Sequence, residues 1–368
     1  MNKLKISVYA ICKNEENFVD RWMNAVSEAD EIVVLDTGSD DNTVERLRSR
    51  GANVYEEKIN PWRFDVARNH AMEKVSSNTD ICVSNDLDEI FESAWREKLE
   101  NAWKREHTRA KYMFVWSHNE DNSIKKQFPM EKIHRRHGFK WIHPVHEVLQ
   151  YNGPEKDTSV WIPDIVLHHF PDNTKPRSQY LPLLEISVKE NPANDRAVFW
   201  LGREYMYYKQ YEDSIKTLKG YLIMPSAKWN EERSAAMRFI ARCYDESDVK
   251  AEAKSWLFRS IAECPEIREP YLALARIGYK EQNWPLVYAM IKRALAIAKS
   301  TGSYLSESES RGYRLYDLGA ISTYHLDLLE DSRRYAIQAL NLSPDDERLK
   351  KNLSLIENKI IMHDKEKV

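Results

Sequence analysis

Glycine, cysteine and net charge are all in short supply in this chain, and each shortage narrows what it can be. Ten glycines stand among 368 residues, against eleven tryptophans and nineteen tyrosines. Few glycines with many large aromatics fit a helix-rich protein packed through bulky side chains. The four cysteines, Cys12, Cys82, Cys243 and Cys264, lie far apart with no C-x-x-C pair. That excludes a zinc-like spacing and reads as buried or idle thiols in a reducing cytoplasm. A formal net charge of −3 leaves no global positive field to draw the protein onto nucleic acid, although a local basic patch stays open. No run of eighteen apolar residues occurs, so no membrane-spanning helix is expected. The stretch from Met1 to Lys5 has the charge of a signal-peptide start. The apolar run behind it, Ile6–Cys12, is too short and is closed by Lys13, Asn14, Glu15 and Glu16. The expectation is a soluble, cytoplasmic, globular protein, with 42% hydrophobic and 31% charged residues, of a length that suggests two domains.

What is present divides into two halves. In the first, short apolar runs alternate with helical patterns. Strands are expected at Ile6–Cys12, Glu31–Asp36, Asn53–Glu57 and Asp80–Asn85, with helices from about Glu15 to Ser27, Thr43 to Arg50 and Arg63 to Val75. Such alternation predicts an α/β domain built on a mostly parallel sheet. Ligands in such sheets sit at the carboxyl ends of the strands, where Asp36 and the acidic run Asp86-Leu87-Asp88-Glu89 both fall. From about Arg177 no convincing strand appears. Small residues and prolines recur there at the spacing of a tetratricopeptide repeat, in four copies covering 198–221, 241–265, 270–297 and 320–344. The expected division is therefore 1–176 and 177–368.

Several side chains carry candidate chemistry. Asp86 and Asp88 are two residues apart at a strand end, so strand alternation would point both to one side. Paired carboxylates suit a hard divalent cation, which a departing diphosphate needs; the alternative is an acidic start to a following helix. Asp36 either accepts a hydrogen bond from a nucleobase or ribose or caps the turn before the Thr43 helix, and both readings stay open. The histidines of 134–146 sit among Lys125, Lys126, Lys132, Arg135, Arg136 and Lys140, and read mostly as a solvated loop that can attract phosphate. The His168-His169 pair fits no zinc helix motif. Glu147 has aromatic and histidine neighbours that suit a general base; the alternative is a surface glutamate near a helix start.

Taken in order, these landmarks resemble a family 2 glycosyltransferase of the GT-A fold, a Rossmann-like α/β domain. The matching residues are Ala10-Ile-Cys-Lys-Asn14-Glu15-Glu16, Asp30 to Ser39, Ala67-Arg68-Asn69, Asn85-Asp86-Leu87-Asp88-Glu89, Val145-His146-Glu147 and Val166 to Phe170. The following chain resembles the all-α, tetratricopeptide-like tails of a bacterial and phage-borne subset. The resemblance implies a nucleotide-sugar donor, most commonly a UDP-sugar, bound by Ala10, Asn14, Glu15, Asp36, Arg68, Asp86 and Gly138. It implies Mn²⁺ or Mg²⁺ on the D-x-D residues Asp86 and Asp88 with His169, or with His168 in its place, and Glu147 as catalytic base at a helix start. The implied reaction inverts the anomeric centre. The lack of a Q-x-x-R-W motif speaks against polymer synthesis coupled to export. The acceptor is left open among a peptide, a glycan and a modified DNA base. Two rivals stand beside this reading. A nucleotidyltransferase would carry a glycine-rich basic loop where Lys13-Asn14-Glu15-Glu16 stands. A repeat-based binding protein would have a catalytically silent α/β half. The repeats are expected to offer a surface to acceptor or partner, or to form a homodimer. Trp200, Tyr205, Tyr207, Tyr208 and Tyr211 either line that surface or pack between helices.

Overall fold

A computed structural model describes residues 3–172, 180–298 and 302–366. The chain forms two compact units, Met1–Ser187 and Val188–Val368. The expected division at 176/177 falls outside the described residues. No helix among the described residues is long and apolar enough to cross a membrane.

The first unit is built on an eight-stranded sheet. In chain order its elements are β1 (Ile6–Cys12), α1 (Val19–Ala25), β2 (Glu31–Asp36), α2 (Thr43–Ser49), β3 (Asn53–Glu56), α3 (Phe64–Glu73), β4 (Ile81–Ser84), β5 (Glu89–Phe91) and α4 (Trp95–Ala102). These are followed by β6 (Arg109–His118), β7 (Ile124–Arg135), β8 (Phe139–Ile142), β9 (Val148–Tyr151), β10 (Ser159–His169) and α5 (Tyr180–Glu190), within which the division between the units falls. The sheet order is β3-β2-β1-β4-β7-β6-β10-β5, and β8 pairs with β9 in a separate hairpin. The β3-β2-β1-β4 block is parallel throughout. Further across, β7 runs antiparallel to β4 and β6, and β5 antiparallel to β10.

Strand alternation splits the core in two. Ile6, Val8 and Ala10 of β1 face Trp22 of α1 and Trp95 of α4, while Tyr9, Val33 and Leu35 face Ala67, Ala71 and Met72 of α3. Both faces being covered explains why these strands read as unbroken apolar runs. Each large side chain fully buried this way contributes about 1.5–3 kcal/mol. All four cysteines are buried and none is in a disulfide.

Three expectations need correction. The histidines of 134–146 and their basic neighbours do not form one solvated loop: Ile124–Arg135 is β7, whose Ile133 and His134 are fully buried, and Phe139–Ile142 is β8. The acids after Asp86 open no helix, because Glu89 begins β5, paired to His169 of β10. The first helix starts four residues later than expected. Asn14 takes a left-handed φ of 55°, and the amides of Glu15 and Glu16 bond to Thr43 and Asp41 rather than into a helix.

The second unit is a stack of helical pairs: α6 (Asp195–Tyr207) with α7 (Tyr211–Leu222), α8 (Asn230–Glu246) with α9 (Lys250–Glu263), α10 (Glu269–Lys280) with α11 (Trp284–Ala296), α12 (Tyr313–His325) with α13 (Leu329–Leu342), then α14 (Glu347–Glu366). One contact recurs. Ser214 Oγ donates to the Gly202 carbonyl, and Ser332 Oγ to the Ala320 carbonyl, each twelve residues back. A methyl at Gly202 would lie 2.5 Å from Leu218 Cγ. Small residues at these crossings let paired helices touch along their backbones.

Candidate active site

The site gathers at the carboxyl ends of β1, β2 and β4, and α3 is its organiser. Arg68 on α3 is 6% exposed. Its guanidinium donates to both Asp86 oxygens, Nη1 to Oδ1 at 2.7 Å and Nη2 to Oδ2 at 2.9 Å, while Nε donates to Glu147 Oε1 at 2.6 Å. Arg68 also lies over the Trp141 ring at 5.1 Å. The next residue, Asn69, clamps the Trp141 backbone, donating to its carbonyl and accepting from its amide. The amide of Phe64, at the start of α3, donates to the Pro144 carbonyl. One helix thus delivers Arg68 and hangs the loop that presents Glu147.

Glu147 is not at a helix start. It sits in the bend running into β9, after the left-handed His143 and His146. Its side chain is 13% exposed, so it is no surface glutamate either. Sequence alone left that open, because positions 68, 86 and 147 meet only through the fold.

Beside Asp86 lies a partner that local periodicity hides. Lys132 of β7 donates to Asp86 Oδ2 at 3.3 Å and to Glu89 Oε1 at 2.8 Å, and Glu89 Oε2 accepts the Asp86 amide. Burial by itself would raise the Asp86 carboxyl. The cations Arg68 and Lys132 outweigh it and hold Asp86 well below the usual carboxylate range. For Glu89 burial wins, with Asp86 and Asp88 adding repulsion, and its carboxyl is raised despite Lys132. Lys132 and Glu89 were named in the sequence only as part of a cationic group and an acidic run.

Asp88 faces elsewhere. Its Oδ2 is 3.3 Å from His169 Nε2, and its carbonyl accepts the Phe170 amide. His169 stacks on Trp116 with centroids 4.7 Å apart. Burial lowers the imidazole, but the Asp88 bond and the charges of Asp88 and Glu89 raise it overall. Alternation along β10 sends His168 the other way, to His118 at 2.9 Å and Glu92 at 3.0 Å. Of the two candidates, His169 is the one brought to Asp88. Asp86 and Asp88 therefore do not share a partner as period-two alternation suggested, because the chain turns between them.

The remaining expected residues shape the walls. Asp36 is 2% exposed; its Oδ1 accepts the amides of Gly38 and Ser39 at 2.9 Å, and its Oδ2 accepts the Ser39 hydroxyl. This is the turn-capping role. Asn14 closes the same loop: its amide donates to Ser39 Oγ, and its Oδ1 accepts the Asp40 amide. The Glu15 amide donates to Thr43 Oγ1 at 2.7 Å. Ala10 is not at the surface of the site, since its methyl is fully buried in the core. Gly138 makes the corner from β7 to β8 at φ +87°, where a Cβ would meet Tyr151 at 2.8 Å.

Among the described residues no group of three or more His, Cys, Asp or Glu side chains is arranged to hold a metal ion. A cation that travels with a nucleotide diphosphate needs only one or two protein ligands, the phosphates and water completing its shell. Asp88 and His169 fit that lesser requirement, whereas Asp86 is committed to Arg68 and Lys132.

Comparison with known proteins finds relatives for each unit. The family described as Glycosyl transferase family 2 matches residues 7–153, which lie within the first unit. An uncharacterised glycosyltransferase of Rickettsia conorii is 32% identical over 132 residues, 36% of this chain and 41% of that protein. The lipopolysaccharide core biosynthesis glycosyltransferase LpsC of Rhizobium meliloti is 31% identical over 100 residues, 26% of this chain and 36% of that protein. The chain thus spans about two-fifths of the length of the curated relatives it matches. Among solved structures, MamA aligns with a TM-score of 0.36 at 16% identity, covering 46% of this chain and 85% of that one. PilF of Pseudomonas aeruginosa aligns with a TM-score of 0.37 at 15% identity, covering 48% and 72%.

Proposed function

We propose, from the family 2 glycosyltransferase match over residues 7–153, that this protein moves a sugar from a nucleotide-sugar, a UDP-sugar, to an acceptor nucleophile with inversion. The observation that carries this reading is the Arg68 hub, a buried guanidinium joining Asp86 to Glu147 at the carboxyl ends of the strands.

In this reading Glu147 is the base. It takes the proton of the acceptor hydroxyl or thiol as that atom's lone pair bonds to the anomeric carbon. The bond from that carbon to the diphosphate oxygen breaks, and the nucleoside diphosphate leaves with the electron pair. Arg68 is placed to receive the growing negative charge of the diphosphate, exchanging part of its pairing with Asp86 and Glu147 for phosphate oxygens. That exchange also frees Glu147 for the acceptor. The loop closed by Asp36, Asn14 and Ser39 forms the nucleotide side, with Asp36 acting through the shape of the turn. Asp88 and His169 would hold Mn²⁺ or Mg²⁺, whose chemistry is to neutralise the diphosphate. The loop from Lys13 to Glu16 is acidic and free of glycine, which favours this reading over nucleotidyl transfer.

The test is release of nucleoside diphosphate from a panel of UDP- and GDP-sugars without acceptor, with Mn²⁺ or with EDTA. One donor should give metal-dependent release that Asp88→Ala abolishes. If no donor is turned over and none raises the melting temperature, the transferase reading fails and a repeat-based binding role replaces it.

A further inference from the structure

The order of the sheet lays out the site as a row of neighbours. The turn of Asp36, Asn14 and Ser39 stands at the ends of β1 and β2, Asp86 and Asp88 follow β4, and β7, β6 and β10 continue beyond them. On that far side β6 carries Trp116, which is 47% exposed. Its indole is fixed in place. It stacks on His169 with centroids 4.7 Å apart and planes 26° apart, and Phe114 and Phe128 meet it at 6.2 and 6.4 Å. Phe114 and Phe128 are themselves 5.6 Å apart, and Phe114 is buried, so the row is anchored in the core. His169 in turn reaches Asp88 at 3.3 Å. A half-exposed tryptophan therefore stands one side chain away from the diphosphate end of the site, and the transfer chemistry makes no use of its ring.

We infer that Trp116 is the platform for the acceptor, and that the acceptor is a saccharide whose pyranose ring lies on the indole and offers a hydroxyl as the nucleophile; this rests on the transferase reading. A donor with its nucleotide at β1 and β2 and its diphosphate at Asp88 leaves the β6 side for the acceptor. A flat indole, already held in position, suits the apolar C–H face of a pyranose, with polar groups at its rim for the ring hydroxyls. The turn after β6 and the start of β7 supply that rim, where Glu120, Lys125 and Gln127 are exposed. The other two acceptor classes fit less well. β6 lies between β7 and β10, and β7 between β4 and β6, so neither offers an open edge on which a peptide backbone could pair. The same turn sets Glu120 and Asp121 against Lys125 and Lys126, so the formal charges cancel and no positive field meets the phosphates of a nucleic acid.

The experiment labels the full chain with fluorotryptophan, assigns the Trp116 fluorine resonance by its loss in Trp116→Phe, and titrates methyl glycosides of glucose, galactose, mannose and N-acetylglucosamine, with lactose and chitobiose. At least one should move that resonance, saturating in roughly the millimolar range of a single platform, and should speed nucleoside diphosphate release from the donor found in the acceptor-free assay. For that saccharide Trp116→Ala should raise KM about tenfold, and Trp116→Phe should recover much of the loss. A fall in kcat alone, with KM unchanged, would mean that the ring only supports His169 and would overturn the inference. A resonance that no saccharide moves would overturn it too, and so would one moved only by a serine- and cysteine-bearing peptide or by oligothymidylate. The titration uses the unmodified sequence, so it stands even where Trp116→Ala does not fold. Failure of the transferase reading looks different: no donor is then turned over, while the Trp116 resonance, which needs no turnover, still decides whether the platform takes a saccharide.

Discussion

Removing the Arg68 guanidinium should expose how the site holds its charges, and Arg68→Met is the cleanest way to do it. The methionine keeps most of the apolar stem against Trp141, so packing changes little while two carboxylates lose their partner. Asp86 and Glu147 are 23% and 13% exposed in their side chains, too buried for water to replace the cation fully. Breaking a buried ion pair costs about 3–5 kcal/mol. Lys132 remains 3.3 Å from Asp86, which places the expectation near the lower end, about 3 kcal/mol, or roughly 6–12 °C in melting temperature. The sign with pH follows from Asp86. Its folded value is depressed, so its stabilisation is present above the unfolded value of about 3.9 and drains away as pH falls through the folded one. In the variant the stranded carboxylates take up protons at higher pH. The gap between the two proteins should therefore be full at pH 7 and narrow as pH falls below about 5. Urea midpoints measured across pH 4.5 to 7.5 check this, with D86N/E147Q added to the variant to recover much of the loss. A gap below about 1 kcal/mol at pH 7, or one unchanged across that range, would refute the reasoning.

Glu147→Gln keeps the hydrogen bond from Arg68 but cannot accept the acceptor's proton; once the donor is identified, sugar transfer should fall by about 10²–10⁴ while nucleoside diphosphate binding, followed by calorimetry, is retained. His169→Gln should cost stability in a pH-dependent way. The folded imidazole is raised by Asp88, so its contribution is complete below the unfolded value of about 6.5 and lost as pH rises through the folded one. The difference in melting temperature from the unmodified protein should be larger at pH 5.5 than at pH 8.5. Gly202→Ala forces a methyl onto the fully buried Leu218 and should destabilise the repeat unit by about 1–3 kcal/mol, read from helix circular dichroism in urea.

The parallel half of the sheet was legible because its strands are covered on both faces: Ile6–Cys12 and Glu31–Asp36 coincide with β1 and β2, and burial on both sides leaves an apolar run that announces itself. The four helical pairs were legible for a related reason, since their small residues recur at fixed offsets. β7 was hidden because its composition is basic and only its pairing with β4 and β6, far away in sequence, makes it a strand. The start of α1 was misplaced by a single left-handed asparagine. At the site, the residue types were visible and their partnerships were not. Nothing in Asp86-Leu87-Asp88 says that the first acid belongs to an arginine and a lysine and the second to a histidine. That assignment comes from a turn between them and from two strands, β7 and β10, arriving from later in the chain.

The position of β10 bears on how this protein can be cut. The segment shared with family 2 stops at residue 153, but β10 lies between β6 and β5 in the same sheet. A fragment ending there would leave β6 with a bare hydrogen-bonding edge and β5 with no neighbour, an invitation to pair with other molecules. It would also take away His169, and with it the partner of Asp88. Soluble expression of the first unit therefore calls for a terminus beyond β10, and insolubility of a shorter piece would reflect the missing strand and not an intrinsically unstable domain.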